Sequence, residues 1–371
     1  MKSHIAEYVS PGHPDRLADA IVESIVNLAV GRDRESLVGV ECAVHTDHVF
    51  IDGRIAAGEG RCAVSHEEIE EVARSVYREA GYGEVWIPAP GKLKVIQNIC
   101  LEPLSAEERS IRNLSDDQNV VVGFACNHPE TNYLPPAHFV ANHIGRKLDS
   151  WRRTASDKFG PDFKVLVHIG EKGERYEWRR LTISIQHKAG VFAAEQYELI
   201  LPIVSEALAE LEARGLAGIS TIPLENFILN GIGDFIIGGP EGDNGLSGKK
   251  LAIDFYGPEI PIGGGAICGK DPHKVDVAGA FRARELACRL LKERGGSSVT
   301  VRLGWSPGDA SPAFREAESI DSLGLSHPIP PSAMPSDDWF SIASIVADLR
   351  LTELDRRERV LRGYFCASEH P

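Results

Sequence analysis

Gly238-Gly239-Pro240-Glu241-Gly242-Asp243-Asn244-Gly245-Leu246-Ser247-Gly248-Lys249-Lys250 and Gly263-Gly264-Gly265-Ala266-Ile267-Cys268-Gly269-Lys270-Asp271-Pro272-His273-Lys274-Val275-Asp276 are the two most distinctive stretches of the chain. Glycines let backbone N–H groups approach an anion closely, and the lysines add positive charge. The Gly-x-Gly at 231 to 233 imitates a dinucleotide fingerprint, but Phe235-Ile236-Ile237 follows it where a helix should open, so that reading fails. Taken alone, the first stretch reads as a turn-rich loop. The second changes the balance, because glycines, two lysines and two aspartates converge just before a helix, as a triphosphate with Mg²⁺ requires. Lys270 and Lys274 are placed to neutralise phosphate oxygens and Asp276 to hold metal. Gly12-His13-Pro14-Asp15-Arg16 forms a third piece, with a histidine able to hydrogen-bond a leaving oxygen and an aspartate able to ligate Mg²⁺.

The balance of the chain narrows the partners. Lys plus Arg is 40 against 54 for Asp plus Glu, a net charge of −14 that opposes binding to nucleic acid or an anionic membrane. A polyanionic substrate must therefore meet a local basic cluster. Seven cysteines stand singly, without a Cys-x-x-Cys, which fits neither a disulfide framework nor a zinc site. Met1-Lys2-Ser3-His4 lacks an apolar signal core, and no run approaches the ~18 apolar residues of a membrane span. A cytoplasmic protein is expected.

Periodicity organises the rest into α+β units. Leu17, Ile21, Ile25 and Leu28 predict a helix from about residue 14 to 30, with Pro14 in its first turn. Val38 to Val44 and Val49 to Ile51 predict a hairpin, and the Ser65/Glu68 capping box opens a helix that Gly81 stops. Val120 to Ala125 reads as a buried strand, Ala137 to Leu148 as a helix, Lys164 to Ile169 with Tyr176 to Gln186 as a hairpin, and Glu198 to Ala213 as a helix. Strands near Leu251 to Phe255 and Ser298 to Leu303 flank a helix from Val277 to Lys292. Residues 92 to 118, rich in charge and poor in large apolar side chains, read as a linker or mobile loop. The expected units are 1–100, 113–236 and 237–371.

Together these segments resemble the S-adenosylmethionine synthetases (methionine adenosyltransferases) over nearly the whole chain. Glu7-x-Val9-Ser10-x-Gly12-His13-Pro14-Asp15 is similar to the family's opening motif, the 238–250 stretch to its ATP motif and the 263–276 stretch to its phosphate motif. Asp117-Gln118, Pro161-Asp162-x-Lys164 and Gln186-His187 are shorter matches in the same order. The resemblance implies three similar α/β-layered domains, homodimers with active sites between subunits, and often homotetramers. It implies attack of methionine sulfur on C5′ of ATP, followed by cleavage of the released triphosphate, assisted by Mg²⁺ and K⁺.

Carried over by position, His13 would contact the triphosphate near the broken bond, Asp15 and Asp276 would ligate Mg²⁺, and Glu41 would lie at a K⁺ site. Asp162, Lys164, Lys249, Lys250, Ala266 and Lys270 would contact ATP, Phe235 would pack on adenine, and Glu7 would lie near metal and phosphates. Asp243 and Lys274 would sit where nucleotide and amino acid meet.

Several positions depart from the family pattern. Arg16 replaces a usual Lys, Lys249 a usual Arg, and Asp234 an ATP-contacting Arg, while the family's lid motif is not recognisable between Gln97 and Asp117. Arg54 stands where the family carries a glutamate for methionine's ammonium, which points to a substrate contact of opposite charge. Three readings therefore stay open: a divergent methionine adenosyltransferase, a paralogue that uses another nucleophile or only strips triphosphate, and a non-catalytic nucleotide-binding regulatory homologue.

Overall fold

Three four-stranded sheets, each built from distant parts of the chain, carry the architecture. The computed structural model describes residues 2–366; Met1 and residues 367–371, the last of the expected 237–371 unit, lie outside the described residues. In chain order the first segment runs β1 (Lys2–Val9), α1 (Pro14–Arg32), β2 (Leu37–His45), β3 (His48–Ala56), α2 (His66–Ala80), β4 (Lys94–Glu102) and α3 (Ala106–Ser110). The middle holds β5 (Asn119–Cys126), α4 (Pro136–Thr154), β6 (Phe159–Lys172), β7 (Arg175–His187), α5 (Ala193–Ala213) and β8 (Phe227–Leu229). Then follow β9 (Gly245–Leu246), α6 (Leu251–Asp254), α7 (Val275–Arg294), β10 (Ser298–Trp305), β11 (Phe314–Ile320), β12 (Ser326–Pro328), α8 (Ile342–Asp348) and α9 (Arg356–Arg362).

The sheet orders are β1-β6-β7-β8, β12-β11-β10-β5 and β4-β3-β2-β9. Sheet membership thus crosses the bounds 1–100, 113–236 and 237–371. β1 pairs antiparallel with β6, β5 with β10, and β9 with β2. One core gathers α4, α5 and α7 against the first two sheets, and a second packs α1 and α2 on the third. Leu17, Ile21 and Ile25 are fully buried in the latter, each contributing about 1.5–3 kcal/mol by leaving water.

Local signals hold where the chemistry is local. His13 caps α1, the Ser65/Glu68 box is formed, and Gly81 ends α2 at φ 109°. Two expectations are corrected and one strand is added. Lys2–Val9 is a strand that the chain order hides, because its partner β6 lies far along the sequence. Residues 94–102 are not a linker but β4, parallel to β3 from His48↔Lys94 to Ala56↔Glu102, with Ile99 buried. Leu251–Asp254 is a helical turn instead of a strand, since Asp254 turns inward to Arg16 at 2.7 Å. The remainder of the expected loop is tied down by arginines: Arg109 pairs with Asp33 (2.9 Å) and Glu35, and buried Arg112 with Asp271.

Candidate active site

The site begins at the entry to α1. His13 is buried, and its Nδ1 accepts a hydrogen bond from the Asp15 N–H at 3.2 Å. Burial, with the nearby Lys164 charge, pushes its imidazole down to about 3, so it is neutral at physiological pH. Asp15, also buried, accepts from the Leu246 N–H at 3.0 Å and meets Lys250 Nζ at 2.7 Å and Lys249 Nζ at 3.5 Å. Burial opposes its charge, but the Lys250 and Leu246 hydrogen bonds outweigh that and hold it below the usual carboxylate range.

Asp15 and its neighbour Asp19, which accepts from the Gly248 N–H at 2.8 Å, stitch the glycine-lysine loop onto α1. The contact is so close that a Cβ on Gly245 would stand 2.2 Å from the Pro14 backbone. Only glycine permits this approach. On the other flank, Asp162 accepts from the Gly239 N–H at 2.7 Å, and burial pushes its carboxyl up to about 6. Its second oxygen has no protein partner. Lys164 is exposed on the same strand, and Glu7 lies diagonally across from it on the outer face of β1. The backbone of Phe235 is held by His187, its N–H donating to the His187 ring at Nε2 (3.0 Å) and its carbonyl accepting from the His187 backbone N–H at 2.9 Å. Asp234 is exposed, 3.9 Å from that imidazole.

Ser247 and Gly248 lead into a cavity of about 430 Å³, where Glu41, Ala266, Lys270, Lys274 and Asp276 converge. Lys274 caps α7, and Asp276 lies in its first turn, so the positive end of the helix dipole faces the cavity. Lys270 is paired with Asp276 and Lys274 with Asp116. A Cβ on Gly265 would stand 1.9 Å from Asp276 Oδ1, so a side chain there would push the Asp276 carboxylate out of its present place. Asp243, by contrast, lines a neighbouring hollow with His45 and Phe50 instead of the cavity that holds Lys274.

The residues thus fall into two adjoining groups. His13, Asp15, Asp162, Lys164, Lys249 and Lys250 gather at the start of α1, with Phe235 farther out beside His187 and Gly238, whereas Glu41, Ala266, Lys270, Lys274 and Asp276 share the cavity. Arg54 joins neither: its guanidinium takes Glu102 Oε2 at 2.7 Å and Glu108 Oε1 at 2.7 Å, and the cavity is lined instead by Asp52, its neighbour on the same face of β3. Its expected role as a substrate contact of reversed charge finds no geometric support. Arg16 is likewise turned away, buried between Asp19 (3.1 Å) and Asp254 (2.7 Å).

Asp52, Asp116 and Asp117 also line the cavity, and of these only Asp117 belongs to a motif that carries the family resemblance. The register Glu41↔Asp52 across the predicted hairpin was the signal that could have found Asp52. Among the described residues no three histidine, cysteine or acidic side chains form a ready metal cluster. The cavity's oxygen donors nonetheless suit a hard cation of the Mg²⁺ type, which takes one or two carboxylates and completes its shell with water and phosphate oxygens.

Comparisons with known proteins agree with this arrangement. Family models match as "S-adenosylmethionine synthetase, N-terminal domain" over residues 2–99, "central domain" over 113–235 and "C-terminal domain" over 237–370. An S-adenosylmethionine synthase of Hyphomonas neptunium is 34% identical over 323 residues, covering 84% of this chain and 79% of the relative. That of Maricaulis maris is 34% identical over 321 residues, covering 83% and 78%. The solved structure of an unusual S-adenosylmethionine synthetase from Campylobacter jejuni superposes with a TM-score of 0.84 at 21% identity, over 100% of this chain and 96% of its own, a likeness of fold. With all three family models matched in order along the chain, and relatives above 30% identity across most of it, this protein belongs to the S-adenosylmethionine synthetase family.

Proposed function

We propose that this protein is a methionine adenosyltransferase: the sulfur of methionine attacks C5′ of ATP, the C5′–O bond breaks, and triphosphate leaves as the sulfur becomes a sulfonium. Water then cleaves the triphosphate to pyrophosphate and phosphate. The observation that carries this reading is the pairing of Lys270 and Lys274 with carboxylates at the N-terminal end of α7, beside the Asp15–Lys250 pair. Positive groups already positioned before substrate arrives can meet charge developing on a leaving triphosphate without reorganising.

In this reading Lys164, Lys249, Lys250 and Lys270 hold the phosphates, and neutral His13 donates a hydrogen bond to the oxygen leaving C5′. Phe235 and Asp162 flank the nucleoside, with Ala266 leaving room beside it, and Glu7 stands at the edge of the phosphate region. Lys274 stands where the triphosphate meets the amino acid, and Asp243 lies near the junction of the two substrates. Asp15 and Asp276 would hold Mg²⁺ and Glu41 would hold K⁺. These cations supply charge neutralisation for the departing phosphates.

The engagement of Arg54 by Glu102 and Glu108 supports methionine over a nucleophile lacking an ammonium, because no unpaired cation is left there to repel one. A homodimer or homotetramer is also proposed. Ile5 and Leu166, Val120 and Phe314, and Phe50 and Ile96 are exposed on the outer faces of the three sheets, as surfaces that meet a second copy are. Seven free cysteines favour the cytoplasm. Nucleic acid is not expected as a partner.

The test is mass spectrometry of products from purified protein with ATP, Mg²⁺ and methionine. S-adenosylmethionine with pyrophosphate and phosphate is expected; ADP or AMP as the main product would overturn the reading.

A further inference from the structure

A cavity of about 590 Å³ opens between α4 and α9 and shares no lining residue with the one that holds Lys270 and Lys274. α4 lines it with Phe139, Asn142, His143 and Arg146, which the helical repeat places on one face. Arg359 and Arg362 of α9 face them, and Arg214 and Arg350 complete the wall. Five arginines around one hollow are unexpected in a chain of net charge −14.

The carboxylates in the lining do not balance them. Glu358 is taken by Arg362, and Glu353 has Arg34 at 3.5 Å. Asp355 caps α9 by accepting from the Glu358 N–H at 3.1 Å and also accepts from Asn27 at 2.9 Å. His143 is paired with Glu210 at 3.0 Å. Arg359 donates to the Tyr364 carbonyl at 3.3 Å. The side chains of Arg146 and Arg350, however, make no hydrogen bond or ion pair among the described residues. Arg214 lies over the Phe139 ring at 4.9 Å and gives its Nε to the Glu130 carbonyl, and its terminal nitrogens meet no carboxylate among the described residues. Arg350 also sits at φ 48°, a left-handed conformation that residues other than glycine and asparagine avoid.

We propose that this cavity binds a small anion carrying two or more phosphoryl groups. A guanidinium presents a planar fork that matches phosphate oxygens bidentately, and three forks without acidic partners among the described residues match the charge of a pyrophosphate or triphosphate group. The ligand is either free inorganic polyphosphate or the same group on a nucleoside, and the volume admits both.

The test is titration calorimetry on the full chain carrying Lys270→Ala and Lys274→Ala, which weakens anion binding at the other cavity. The probes are pyrophosphate, tripolyphosphate, ADP and ATP, with citrate as a trianion lacking phosphorus, all at fixed ionic strength. Saturable binding of at least one phosphate probe is expected, weakened at least tenfold when Arg146→Ala and Arg350→Gly are added. Glycine accepts the left-handed backbone, so the second change removes charge without straining the fold, and circular dichroism verifies that the variant is folded. Tighter binding of the inorganic probes assigns free polyphosphate, and tighter binding of ADP or ATP assigns a nucleotide. No binding, equal affinity with and without the two arginines, or citrate binding as tightly as tripolyphosphate would overturn the proposal.

Discussion

Asp162→Asn should make the protein's stability less sensitive to pH. In the native state the carboxyl is 6% exposed and pushed up to about 6 by burial; in the unfolded chain it titrates near 3.8. Between those values the native state binds the proton more tightly, so the group's contribution is complete below pH 4 and is lost as pH rises through 6. The loss is about 3 kcal/mol, an order-of-magnitude figure that follows from ~1.4 kcal/mol per tenfold change in proton affinity. Asparagine keeps an acceptor for the Gly239 N–H and carries no charge. Urea unfolding at one protein concentration, at pH 4.5 and at pH 8, should therefore show the variant gaining about 2 kcal/mol on wild type between the two conditions. His13, pushed down to about 3 in the fold, adds a pH dependence of its own as the unfolded imidazole titrates near 6.5, but it does so equally in both proteins, so the difference between them reports Asp162. Parallel pH profiles for the two proteins would refute the reasoning, because they would mean that Asp162 ionises normally in the fold.

Lys270→Ala should lower turnover by at least ~10²-fold, measured by S-adenosylmethionine formation, since one preorganised electrostatic contact is worth about 2.7–4 kcal/mol in a transition state. Asp116→Asn frees Lys274 from its intramolecular partner and should tighten tripolyphosphate binding up to ~5-fold, in line with about 0.2–1 kcal/mol for a partly exposed pair; calorimetry reads it directly. Arg54→Gln should leave kcat/KM for methionine within about threefold, while hydrogen exchange across residues 103–115 rises because Glu108 on α3 loses its anchor to β3. A methionine kcat/KM raised more than tenfold would instead place Arg54 at the substrate.

What could be read in the sequence was whatever is written within a few residues. The capping box at Ser65 and Glu68, Gly81 as a stop, the turn between β6 and β7, and the apolar face of α1 each depend on neighbours along the chain, and each forms. The glycine-lysine stretches were equally legible, because close backbone approach demands glycine whatever surrounds it, as Gly245 against Pro14 and Gly263 against Val120 illustrate. Pairing at a distance was not legible. Lys2–Val9 finds β6, Gly245–Leu246 finds β2, and 94–102 lies parallel to β3, because hydrogen bonds between backbones carry little trace of which strand will be the partner. Charge followed the same rule. Arg54 read as a reversed substrate contact until Glu102 and Glu108, brought beside it by the β3–β4 register and by α3, took its guanidinium. Asp52 and Asp116 entered the cavity only through tertiary contacts. A side chain's type is a property of the sequence, but the groups that set its charge, partner and direction arrive from anywhere in the chain, and only the fold decides which ones they are.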